Sequence, residues 1–446
     1  MRIALQRGLS SRHVGLIALG GVIGSSYFLG TGYILGQIGP AAFLAYILGG
    51  IISYWVLACL TELAIDAKSQ GSFIGYARDF ISPTFSIGVG WSYWASWVVY
   101  IPSECLATGI ILHHFFQSVP EHLFSILCGG VITLINLSKV KLFGEAEFWF
   151  SLVKIVLLIG FSVLAFLIFI GAFPTEHFLG TEYLLKNGGF FPNGFILLFF
   201  NMVVLLSNFQ GSEIIGMTAA ELENPRKHIP PILKKVLFRI VGLYLIPTFL
   251  LVLIFPWQKA DISSGSVFAS ALEFYGFLTA AHIFNFLIVV GAISCANSGI
   301  YATVRCLYAL AQQNLAPRKL AATTASGVPL YATLVTLGTM WIILFCTFFF
   351  PANKIYTNLL ALSGFTGTIC WISICWSQLQ FRKRAQTRKI IPYGISWFPI
   401  STHLAIWIQV LCLLVILISP ELRVSFYFGV PVFLLPMLCY KLYTRR

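Results

Sequence analysis

Three ionisable residues lie inside long apolar runs of the chain: Glu104, Lys154 and Glu213. Each costs about 2.5–3.5 kcal/mol at the centre of a bilayer on insertion scales, so each calls for a partner or a wet cavity. Glu213 falls in NFQGSEIIG (Asn208 to Gly216), beside a glycine and small polar residues. A carboxyl in a partly desolvated cavity can exchange a proton near neutral pH, which fits a proton carrier. The competing role is a structural hydrogen bond to another helix. Lys154 supplies a positive charge that could stand where a sodium ion would otherwise sit, or it could snorkel to the inner interface. Glu104, in PSEC (Pro102 to Cys105), could receive a substrate amine or hold a neighbouring helix.

The element that must present these groups is the stretch from Ala18 to Gly32, ALGGVIGSSYFLGTG. Gly20, Gly21, Gly24, Gly30 and Gly32 make poor continuous helix, and Ser25-Ser26 places hydroxyls mid-run. Broken backbone at membrane depth is tolerated only where it is buried or lines a cavity. A break there exposes peptide N–H groups suited to a carboxylate; glycine-mediated helix packing is the alternative. The second interruption, at Asn208 to Gly216, lies five spans further on. Paired interruptions in corresponding spans of two halves point to a transporter binding site, and a separation of five spans requires the halves to be inverted.

Composition sets the setting. The chain has 446 residues, 58% hydrophobic and 10% charged, with mean hydropathy +0.87. A soluble domain carries about a quarter of its residues charged, so this is a polytopic membrane protein. Runs of about 20 apolar residues indicate helices, because barrel strands would be short and alternating. The first run has no cleavage site after it and reads as a retained span. Spans are expected near 14–38, 40–64, 84–114, 122–138, 147–171, 191–219, 239–256, 277–311, 329–350, 355–378, 401–420 and 424–441.

With the amino terminus inside, all but five of the 28 basic residues fall on the cytoplasmic side. Lys186, Lys259, Lys354 and Arg423 lie outside and Lys154 lies within a span. This is the positive-inside bias, and it puts both termini in the cytoplasm. The net charge of +13 is therefore topological and implies no nucleic-acid partner. The basic run Glu221 to Arg239 reads as a cytoplasmic loop with a short amphipathic helix. The ten cysteines lie in apolar runs with no CxxC pair, and His113-His114 lacks a third ligand, so no metal or cofactor is expected.

Along nearly its whole length the chain resembles amino-acid permeases of the amino acid–polyamine–organocation superfamily, in the branch shared by bacteria and fungi. The resemblance rests on GGVIGSSYFLGTG (20–32), GPAAFLAYILGG (39–50), QGSFIGYARDFISPTFSIGVGWSYWASWVVYIPSE (70–104), FGEAEFWFSLVKI (143–155), GGFFPNGF (188–195), NFQGSEIIGMTAAELENPRKHIP (208–230) and NSGIYATVRCLYALAQQNLAP (297–317). It implies a five-plus-five inverted repeat with two trailing helices: a transport core over 1–378 (repeats 14–171 and 191–378) and trailing helices over 401–446. It further implies that Ile23, Gly24, Ser25 and Ser26 hold a substrate carboxylate. Ser207, Asn208, Phe209, Gln210 and Gly211 would hold its amine. Phe209 would gate, Glu213 would be the proton-linked acid, and Lys154 would stand in for sodium. The chain departs from the family's usual Gly-Thr-Gly-Leu-Phe at the first break, where it reads GSSYF (Gly24 to Phe28). Ser26 adds a side chain beside the carboxylate seat. Leu60-Thr61-Glu62 replaces the usual Leu-Gly-Glu.

The expectation is a secondary active transporter, not an enzyme, that imports an amino acid with a proton by alternating access. It would lie in a bacterial inner membrane. The alternatives are an exchanger of amino acids or their amines, and a non-transporting sensor; the short tails count against the sensor.

Overall fold

The computed structural model describes residues 23–66, 72–137, 143–173, 182–185, 188–213, 235, 238–261, 265–324, 328–387 and 395–443. Residues 14–22 of the first expected span, 214–219 of the sixth, and all but 235, 238 and 239 of the loop expected over 221–239 lie outside them.

The described residues are helical, with no strand among them. In chain order they form α1 (Ser25–Phe28), α2 (Gly30–Ile38), α3 (Ala42–Asp66), α4 (Phe73–Phe80), α5 (Pro83–Phe115), α6 (Glu121–Leu137), α7 (Phe143–Phe169) and α8 (Glu182–Leu185). There follow α9 (Ile196–Ser207), α10 (Ile246–Ile254), α11 (Val267–Phe274), α12 (Leu278–Gln312), α13 (Leu330–Cys346), α14 (Ala352–Thr387), α15 (Ile400–Val415) and α16 (Val424–Tyr443). Among the described residues, eight helical stretches are long and apolar enough to cross a membrane, the first of them running through α1 to α3. Three shorter apolar helices accompany them, over Glu121–Leu137, Ile196–Ser207 and Ile240–Ile254.

Helix α5 is the axis of the molecule. Its apolar window is 94% buried, whereas that of α16 is only 11% buried and faces outward. α5 packs against α12, α14, α6, α16 and α4. Small residues make this closeness possible: a Cβ on Gly90 would meet Leu310, and one on Gly299 would meet Trp97 and Ile101. Small residues at crossings replace the hydrophobic driving force that lipid does not supply. Ser82 caps α5 by accepting from the Phe85 amide at 3.1 Å, with Pro83 in the first turn. Pro102 lies inside α5 and cannot donate to the Val98 carbonyl, which loosens the helix two residues before Glu104.

A wide helical turn over Ile240–Leu245 leads into α10, with Pro247 in the first turn of that helix. The missing proline donor favours the wider turn at that point. The short helix α11, between α10 and α12, falls between two of the expected spans. It buries Val267, Phe268, Ala269, Ala271 and Leu272. Phe268 meets Tyr27 at 5.2 Å and Phe28 at 5.9 Å between ring centroids, so α11 lies directly over α1.

Candidate functional site

The first interruption is a true start of helix. Gly24 is extended, and α1 begins at Ser25. All of Ile23, Ser25 and Ser26 are buried. The Ser25 amide, left without an intrahelical partner, donates to both carboxylate oxygens of Glu104, at 3.0 and 2.9 Å. The Ser26 hydroxyl lies 2.8 Å from the Tyr100 hydroxyl and that of Ser25 lies 3.2 Å from Tyr356. Gly24 is the closest approach: a Cβ there would run into Glu104 Oε1 and the Tyr100 hydroxyl, with Cys295 Sγ at 2.9 Å. Of the two roles open to Glu104, this geometry is the one in which it holds a neighbouring helix.

The second interruption is a true end of helix. α9 stops at Ser207, and Asn208 to Glu213 form turns, with Gly211 at φ +96°. That dihedral is the left-handed region in which glycine carries no Cβ penalty. Carbonyls freed at a helix end need donors. The Ser207 hydroxyl donates to the Val204 carbonyl at 2.6 Å, and the Tyr244 hydroxyl to the Asn208 carbonyl at 3.0 Å. The Gly211 amide donates to both carboxylate oxygens of Glu213 at 2.9 Å, and the Trp371 indole to Oε2 at 3.0 Å. Both interruptions are thus closed by a glutamate carboxylate on a bare peptide N–H.

The two interruptions meet. Tyr46 of α3 joins them, its hydroxyl 2.6 Å from Thr31 Oγ1 and accepting from Asn208 Nδ2 at 2.7 Å. The Tyr27 hydroxyl donates to the Tyr244 carbonyl at 3.1 Å. A Cβ on Gly30 would lie 3.9 Å from Asn208 Oδ1. That oxygen is buried and has no hydrogen-bond partner among the described residues, nor has Gln210 Oε1. Gln210 Nε2 donates to the Gly364 carbonyl at 3.1 Å, so its side chain faces α14. Phe209 is fully buried, with Tyr244 and Tyr46 at ring distances of 5.0 and 6.0 Å.

Lys154 is 1% exposed, and its amine donates to Ser294 Oγ at 3.3 Å across the α7–α12 contact. It does not snorkel.

Comparison with known proteins decides the family. A family model described as amino acid permease matches residues 13–446. The chain is 34% identical over 446 residues to the amino-acid permease RocE of Bacillus subtilis (strain 168), covering 98% of this chain and 94% of the relative. It is 34% identical over 464 residues to the lysine-specific permease LysP of Escherichia coli (strain K12), again covering 98% and 94%. The gamma-aminobutyric acid permease of Bacillus subtilis (strain 168) is 34% identical over 406 residues, covering 90% and 86%. The chain belongs to the amino acid permease family. It is an integral, multi-pass membrane protein.

Two charged residues of this permease carry roles that their sequence context does not reveal. Arg239, read above as part of a cytoplasmic loop, is fully buried, and its guanidinium donates to Ser212 Oγ beside the second interruption. Glu62 is fully buried as well and accepts from Arg382 Nε at 2.5 Å and Nη2 at 2.7 Å, and from Gln378 at 3.1 Å. A basic residue beside a polar loop reads as topology, and a lone glutamate near a span end reads as interface. No signal in the chain distinguishes either from those roles.

Proposed function

We propose that this permease is a secondary active importer that carries an amino acid together with a proton by alternating access. The observation that supports it most is the facing of the two interruptions, with a helix start on one side and a helix end on the other. A helix start carries partial positive charge and a helix end partial negative charge, each about half a unit, so the pair complements a zwitterion. Ile23, Gly24, Ser25 and Ser26 form the carboxylate side. Ser207, Asn208, Phe209, Gln210 and Gly211 form the amine side, with Phe209 as the aromatic gate. Leaving a buried acceptor unpaired costs about 1–3 kcal/mol, and Asn208 Oδ1, turned toward Gly30, is such an acceptor for an ammonium group.

A substrate carboxylate that takes the Ser25 amide must displace Glu104 from it. The displaced carboxyl stays within reach of the substrate, so Glu104 belongs to the binding residues. Glu213 is the proton-linked acid: protonation removes its charge and weakens its hold on the Gly211 amide, changing the relative stability of states that differ in how the second interruption is closed. Coupling needs such a differential, since a group that acts equally on both states moves nothing. Lys154 supplies the fixed charge that lets the first interruption work without sodium.

The scaffold for this cycle is a pair of inverted repeats, 14–171 and 191–378, followed by trailing helices over 401–446, in twelve crossings with both termini cytoplasmic. A bacterial inner membrane fits the compact loops. The relatives named for lysine and for gamma-aminobutyric acid differ in side chain and in carboxylate placement, so the substrate class is an amino acid and its identity is a matter for a binding screen. Glu213→Gln is expected to abolish accumulation driven by a pH gradient in proteoliposomes. Intact pH-driven accumulation in that variant contradicts the role given to Glu213, and a requirement for a sodium gradient contradicts the role given to Lys154.

A further inference from the structure

Arg239 has no part in the scheme above, yet its position is hard to explain as packing. A guanidinium near the inner end of a helix can reach water by extending its stem; Arg239 instead has none of its side chain exposed. Its Nη2 donates to Ser212 Oγ, and Ser212 Oγ in turn donates to the Phe209 carbonyl at 3.1 Å. The arginine thus grips the turn whose next residue is Glu213. Burying a charge costs several kcal/mol in real proteins unless an opposite charge and hydrogen bonds offset it, and the carboxylate of Glu213 follows directly on the serine that Arg239 holds.

Three elements surround Glu213. From α14 come Trp371, which donates to it, and Cys370. From α5 comes the Tyr93 ring. From the turn before α10 come Arg239 and, against it, Tyr244. Of these, Arg239 alone is a cation. The first interruption has the same composition, with Glu104 on a bare amide and Lys154 as the nearby cation.

We infer that Arg239 is a positioning residue for proton coupling: its buried charge fixes the turn at Ser212 and sets the pH range over which Glu213 takes up and releases its proton. This rests on the reading of Glu213 as the proton-linked acid. A fixed cation opposes protonation of a neighbouring carboxyl. Removing it lets the carboxyl bind a proton at higher pH, and a proton-loaded carrier then persists at higher pH.

The test is the pH profile of initial uptake in proteoliposomes for the wild type, Arg239→Lys and Arg239→Gln. Arg239→Gln is expected to move the midpoint toward alkaline pH by about one unit, and Arg239→Lys by less, because it keeps the charge. An Arg239→Gln profile superimposed on the wild type overturns the inference, since a merely structural loss lowers the rate without moving the midpoint. If Arg239→Gln does not fold, the double variant Glu213→Gln/Arg239→Gln is expected to recover folded, monodisperse protein, because it leaves no lone buried charge. Failure of the double variant to recover overturns the pairing. Glu213→Gln alone separates the two readings: retained pH-driven accumulation defeats the proton role of Glu213, whereas its loss with an unmoved Arg239→Gln profile defeats only the role of Arg239.

Discussion

At Gly24 an added side chain tests the seat. Its Cβ would collide with Glu104 Oε1 and the Tyr100 hydroxyl, two groups that define the first interruption. Gly24→Val is therefore expected to abolish substrate-induced thermal stabilisation of the purified protein. An undisturbed shift would remove this interruption from the binding site. The amine side is tested by Asn208→Ala, which removes both the unpaired oxygen and the donor to Tyr46. Loss of one buried hydrogen-bond partner of a charged group costs about 1.5–3 kcal/mol, so affinity for the amino acid is expected to fall roughly tenfold to a hundredfold. Isothermal titration would check it, and unchanged affinity would place the ammonium elsewhere.

The helices themselves carry two predictions. α9 and α14 touch at Gly364, where an added Cβ would meet the Val203 carbonyl oxygen, a backbone atom that cannot swing aside. Gly364→Ala is expected to destabilise by about 1–3 kcal/mol through overpacking. Gly338 in α13 has nothing within 4 Å of an added Cβ, so Gly338→Ala should hold or gain stability, by about 0.5–1 kcal/mol from helix propensity. Thermal unfolding of the two variants in one detergent checks the contrast. α3 and α14 are tied by Glu62 and Arg382. Arg382→Met leaves a buried carboxylate without its guanidinium and is expected to cost about 3–5 kcal/mol, read by the same melts.

Much of this element layout was legible in the chain, because an apolar run of bilayer length admits little besides helix, and because a charge inside such a run is conspicuous. Glu104, Lys154 and Glu213 stood out for that reason, and GSSYF and NFQGSE stood out as interruptions. What covers and connects them did not. The partner of Glu104 is an amide 79 positions away, a pairing that only the packing of α5 against α1 creates. α11 has eight residues, too few to register against the spans on either side of it. Arg239 and Glu62 lie where spans meet loops, and there charge has an ordinary explanation that hides the buried one.

At the scale of the whole molecule, α5 forms a buried axis while α16 is almost wholly outward. The two interruptions sit against that axis, one joined to it through Glu104 and the other near it through Tyr93. Movement of α1 and of the turn after α9 relative to α5 would open the seat to one side or the other, which is what alternating access requires. Tyr27, Tyr46, Tyr244 and Asn208 link the two interruptions by hydrogen bonds, so they are expected to move as one body.

In the proposed cycle the two facing interruptions turn a proton gradient into amino-acid accumulation. Purified wild-type protein in proteoliposomes, given an inward proton gradient and the labelled amino acid that most raises its melting temperature, tests it directly. The label is expected to rise inside above its external concentration without sodium, and to fall back when a protonophore is added. Label that only equilibrates by exchange with preloaded amino acid, with no accumulation under the gradient, would contradict the account.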